Sequence, residues 1–120
     1  MKRAMSSRST RSRKLRALDR RPSRGFVGVV RAELHFPANG SLKDKRTYLR
    51  SMRAKLTRSF GATFAEVGYQ DLWQRADVVF AIAASGLSGL EAVLDEAETY
   101  LGGQDWELVS LAREVYEVDG

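Results

Sequence analysis

Between residues 43 and 58 the chain places seven bases, Lys43, Lys45, Arg46, Arg50, Arg53, Lys55 and Arg58, against a single acid, Asp44. Lys43, Arg46, Arg50 and Arg53 recur at i, i+3, i+7 and i+10, a spacing that lines side chains along one side of a helix. A rigid row of cations suits a phosphate backbone, because each contact releases condensed counterions and adds to affinity. Lys43, Lys45, Arg46, Arg50 and Arg53 are therefore the candidate nucleic-acid contacts. The competing reading is a solvated helix face, since Lys and Arg are good helix formers.

A second constellation is the stretch EVGYQDLWQRA, residues 66–76, which joins two apolar runs. One reading is structural: Leu72 and Trp73 fold under a sheet, Asp71 bridges to Arg75, and Gln70 and Gln74 satisfy loop amides. The other makes Gln70, Asp71, Trp73, Gln74 and Arg75 a recognition surface, Trp and Arg being favoured interface anchors. Catalytic chemistry finds less support. His35 beside Glu33 and Arg31 offers an acid–base group without a paired carboxylate or a nucleophile. Ser85 to Gly89, SGLSG, precedes a helix but lacks the spacing and lysine of a phosphate-binding loop. With no cysteine and one histidine, a thiolate or histidine-rich metal site is excluded. No enzyme, metal or cofactor is expected.

The elements that must position these groups are legible. FVGVVRAELHF, residues 26–36, is β-branched, alternates, and ends at Pro37. Ser41 and Asp44 form a capping box ahead of Leu42, Leu49, Met52, Leu56 and Phe60 at helical spacing, with Gly61 as the stop. Residues 62–69 and 76–85 read as strands. Ser88 and Glu91 repeat the capping pattern before the stripe Leu90, Val93, Leu94, Ala97 and Leu101, stopped by Gly102-Gly103. Residues 106–118 form a last strand whose alternation is irregular. The order βαββαβ predicts an α+β, ferredoxin-like fold: a four-stranded antiparallel sheet with two helices on one face. Gly28, Val30, Ala32, Leu34, Phe36, Val78, Phe80 and Ile82 then face the helices. The open face carries no aromatic at Arg31, Glu33, His35, Asp77, Val79 or Ala81, which argues against base stacking on the sheet. That face suits a second copy or another protein instead.

Charge divides the chain. Residues 1–24 hold ten Lys/Arg against Asp19, a net +9, and the whole chain is +5, which leaves −4 on residues 25–120. The Arg- and Ser-rich tail buries too little to offset its ordering entropy, so residues 1–24 are expected to be a disordered basic extension and residues 25–120 a single domain. The tail also suits a flexible arm on nucleic acid, or a dispensable extension. No run reaches the ~20 apolar residues of a membrane span, and a cytoplasmic protein is expected.

FVGVVRAELHFPANGSLKDKR and AEVGYQDLWQRADVVFAIA together resemble the YlxP-like family of small bacterial proteins, in order and spacing, over about residues 25–118. The resemblance implies a ferredoxin-like fold. In that family the gene often neighbours those of a translation initiation factor and ribosome-binding factor A, which implies work near RNA or the ribosome. No catalytic residue comes with the resemblance. Ser41 to Arg46 and Gln70 to Arg75 match its signature positions, whereas residues 1–24 are additional to it.

Overall fold

The alternating run at the start of the domain forms β1, Arg24–His35. A computed structural model describes residues 23–103 and 105–119. The expected disorder of the basic extension falls outside them, except that Arg24 lies within β1 and pairs with Glu117 at 3.2 Å. After β1 come α1 (Leu42–Phe60), β2 (Thr63–Gly68), β3 (Arg75–Ala84), α2 (Leu87–Gly102) and β4 (Glu107–Asp119). The sheet order is β2-β3-β1-β4, every neighbouring pair antiparallel, with the helices on one face. This is the ferredoxin-like arrangement.

Alternation on the strands selects the core. Val30, Ala32, Leu34 and Phe36 from β1 and its end, with Val78, Phe80 and Ile82 from β3, are buried under Leu49, Met52, Leu56, Leu90, Leu94, Ala97 and Leu101. Gly28 shares that inward phase, and its missing side chain is what lets α2 approach: a Cβ there would stand 2.6 Å from Leu94 Cδ1.

Helix ends follow local chemistry. Ser41 Oγ accepts the Asp44 amide at 3.1 Å, and the Asp44 carboxylate accepts the Gly40 amide at 3.0 Å. Gly61 ends α1 in the left-handed region at φ 68°, its amide reaching Thr57 O at 3.0 Å. The expected second capping box does not form. α2 starts one residue before Ser88, with Gly86 as its cap and no side-chain bond, so Ser88 lies inside the first turn. The irregular phase of the last strand has a local cause. A bulge opposite Glu33/Leu34 leaves Val109 unpaired and exposed, so Leu108 and Leu111 both keep the inward side.

One end of the core is sealed by aromatics. Trp106 is buried against Phe36 and Tyr48, each 6.2 Å between ring centroids, and its Nε1 donates to Leu101 O at 2.8 Å. Leu72 and Trp73, which the structural reading of the β2–β3 loop would fold under the sheet, are 46% and 44% exposed.

Candidate nucleic-acid interface

The charged side chains sort themselves by partner. Arg24, Arg31, Arg75 and Arg113 each hold a carboxylate: Glu117, Asp77, Glu33, and Asp95 with Glu98. Hydrogen bonds from the Arg113 guanidinium to Glu98 and Asp95 raise its pKa above the ordinary arginine value, and the bond to Asp77 does the same for Arg31. On α1 the pattern reverses. Lys43, Arg46, Arg50, Arg53, Lys55 and Arg58 are exposed, and none pairs with a carboxylate among the described residues.

Three of these cations do more than cover a helix. Arg46, Arg50 and Arg53 line an open groove of about 260 Å³ between α1 and β2, an edge strand, with Leu49, Phe64 and Glu66 as the other walls. From Arg46 to Arg53 the helix rises about 10 Å, so the row spans more than one phosphate. Arg53 Cζ lies 5.3 Å from the centroid of the Phe64 ring, a cation–π contact. Lys43 extends the row into the first turn of α1. The groove residues Leu49, Phe64 and Glu66 were not among the candidates from sequence. Phe64 and Glu66 share the inward phase of β2, which is the signal that brings them to the helix.

Lys45 is a correction. It is 1% exposed and turned into the fold, away from the row of phosphate contacts. Its Nζ donates to Tyr69 O at 2.9 Å and to Arg75 O at 3.0 Å, with Gln70 O further off at 3.5 Å. Glu66 Oε2 lies 2.8 Å away as an ion-pair contact without hydrogen-bond geometry. The reason is its place on the helix. Positions 45, 49, 52 and 56 form the buried stripe, so Lys45 occupies a core position and brings its charge to carbonyls that need a donor.

That ammonium fixes the 69–75 loop. Tyr69, at φ 59°, supports a turn closed by the Leu72 amide on Tyr69 O at 3.0 Å. The buried Asn39 donates from Nδ2 to Trp73 O at 2.8 Å, the Phe36 amide donates to Gln74 O at 2.8 Å, and Gln70 Nε2 reaches Glu66 O at 3.1 Å. Gln74 Nε2 makes only a long contact to Asn39 O, 3.5 Å. The Asp71–Arg75 bridge of the structural reading does not form: Arg75, opposite His35 in the register and diagonal to Glu33, pairs with Glu33 and sits 4.6 Å over the Tyr69 ring. Asp71 stays exposed at the loop tip. The fixed backbone holds Val67, Tyr69, Leu72 and Trp73 outward as an apolar patch.

His35 is engaged by a carboxylate. Its Nδ1 is 2.9 Å from Glu107 Oε1, its cross-strand partner, and it extends a charge ladder of Arg31–Asp77 and Glu33–Arg75 over one half of the open sheet face. On β1 and β3 the other half carries Val27, Val29, Val79 and Ala81, bordered on β4 by Tyr116 and Glu114. Among the described residues there is no cluster of three or more acidic, His or Cys side chains with metal-binding geometry, and no helix is long and apolar enough to cross a membrane.

Comparison with known proteins adds a lineage. The chain is 35% identical over 66 residues to "Uncharacterized protein YlxP" of Bacillus subtilis (strain 168), covering 55% of this chain and 70% of that relative. A family model described as "Protein of unknown function (DUF503)" matches residues 27–113, from β1 through most of β4, and so spans the α1 row, the groove and the 69–75 loop. The chain belongs to the DUF503 family, the YlxP-like proteins.

Proposed function

We propose that this protein is a non-enzymatic, cytoplasmic accessory protein that associates with RNA or the ribosome, holding phosphates with Lys43, Arg46, Arg50 and Arg53. The observation that carries the reading is the segregation of charge. Cations on the sheet are neutralised by carboxylates, whereas those on α1 stand exposed and unpaired among the described residues. Unpaired guanidinium groups in a row retain their fork of donors for phosphate oxygens. The 69–75 loop, tied to α1 through Lys45, offers Tyr69 and Trp73 as a second contact beside the row.

The test is co-sedimentation of the full chain with ribosomes and with separated subunits across a salt series, alongside the Arg46→Glu/Arg50→Glu/Arg53→Glu variant. Both proteins carry the same basic extension, so its binding cancels in the comparison. Preferential pelleting with one subunit, lost in the variant and weakened by salt, is the expected result. Equal pelleting of both proteins would count against the helix.

The apolar row of Val27, Val29, Val79 and Ala81 on the open sheet favours a second reading, an oligomerisation or protein-interaction module. It predicts a salt-tolerant dimer or complex disrupted by Val29→Asp or Val79→Asp, read by sedimentation velocity.

A further inference from the structure

Bare phosphate binding does not account for everything in the groove beside α1. Its floor is apolar, Leu49 and the ring of Phe64, and one wall is the Glu66 carboxylate. A carboxylate beside Arg46, Arg50 and Arg53 opposes a phosphate rather than attracting it. It is held in place regardless, by the Lys45 ammonium 2.8 Å from its Oε2. Oε2 itself is buried, but the side chain as a whole keeps 22% exposure, so an incoming donor approaches it on the side away from Lys45. Arg53 Cζ stands 5.3 Å from the Phe64 ring centroid, which places a planar cation at the groove's side.

A phosphate-flanked heterocycle with N–H donors on its edge satisfies all of these groups at once. We infer that the groove takes one unpaired guanine of an RNA strand. Arg46 and Arg50 meet the flanking phosphates, Arg53 stacks on the face of the base, and Glu66 accepts from N1–H and N2–H of its Watson–Crick edge. Guanine fits because it places two donors side by side on that edge, whereas adenine and cytosine place one amino group there. In a duplex the same edge is occupied, so the site selects single strands. This inference rests on the phosphate-binding reading of α1 given above and adds the base and the strandedness.

The experiment is fluorescence anisotropy of the full chain with labelled RNA at fixed salt. The ligands are an all-adenine hexamer, the same hexamer with one central guanine or one inosine, and a hairpin with that guanine paired in its stem. The guanine hexamer is expected to bind about tenfold tighter than the all-adenine one, the discrimination of one good base contact. Inosine, which lacks the N2 amino group, falls between them, and the hairpin gains nothing from its guanine. Glu66→Gln, which keeps an oxygen toward Lys45, abolishes the preference while circular dichroism and the melting temperature report an intact fold. Uniform affinity for all single strands would leave phosphate binding standing and overturn this inference; Glu66 would then be the counterion of Lys45 alone. A preference that survives in Glu66→Gln would overturn it too. Free GMP competing as well as the hexamer would overturn the assignment to a strand, and no binding to any RNA would overturn both readings.

Discussion

Lys45→Met replaces the buried ammonium with an apolar side chain of similar length and tests whether this residue belongs to the fold. The change leaves Tyr69 O, Arg75 O and Glu66 Oε2 without the cation that lies 2.9, 3.0 and 2.8 Å from them. A buried group stripped of its partner costs about 1–3 kcal/mol, and removing one member of a buried ion pair about 3–5 kcal/mol. The loop carbonyls lie near solvent and recover part of their loss from water, so the total sits at about 3–5 kcal/mol rather than the sum. Against a typical stability of about 5–15 kcal/mol that is a large fraction. In urea the midpoint falls by about 2 M at an ordinary slope. The assay is equilibrium denaturation of the full chain, paired with hydrogen exchange on residues 69–75. Exchange in the loop accelerates more than in β1, because the loop loses its anchor. Lys45→Met/Glu66→Leu regains stability relative to Lys45→Met, since the orphaned carboxylate goes too. A loss below about 1 kcal/mol for Lys45→Met would refute the reasoning and return the lysine to solvent with Lys43 and Arg46.

Two more consequences concern packing and pH. Gly28→Val drives a side chain into Leu94, whose Cδ1 stands 2.6 Å from the added Cβ, and costs about 1–3 kcal/mol in thermal or chemical unfolding as α2 is pushed off the sheet. Burial raises the Tyr100 phenol above its ordinary value of 10.0, so the unfolded chain releases that proton first as the solution turns basic. Its contribution to stability is complete below the unfolded pKa and is lost as pH rises through the folded one; Tyr100→Phe flattens that part of the alkaline stability profile.

The fold was legible because its signals are local. Alternation in residues 26–36, the Ser41–Asp44 cap and the αL stop at Gly61 each act within a few residues, and the structure keeps them all. The site was less so, because its partners meet across the sheet. Glu33 reaches Arg75 only through the β1–β3 register, which sets Arg75 opposite His35 and diagonal to Glu33, and that contact replaces the nearer pairing with Asp71. Lys45 reads as a surface cation by residue type, whereas its position on the helix places it in the core. The stripe of Leu49, Met52 and Leu56 extends back to residue 45, and that period would have found it. The two readings of Trp73 are indistinguishable within its own segment, and it is the distant Trp106 that fills the core end. The bulge at Val109 likewise depends on pairing that no single strand encodes.

The central claim is that Arg46, Arg50 and Arg53 hold phosphates. The most direct measurement is the salt dependence of single-stranded RNA binding by the full chain and by Arg46→Gln/Arg50→Gln/Arg53→Gln. Each phosphate contact contributes about 0.7 to the slope of log affinity against log salt for single strands, so the slope of the triple variant is expected to be shallower by about 2. An unchanged slope, with all binding supplied by the basic extension, would contradict the account.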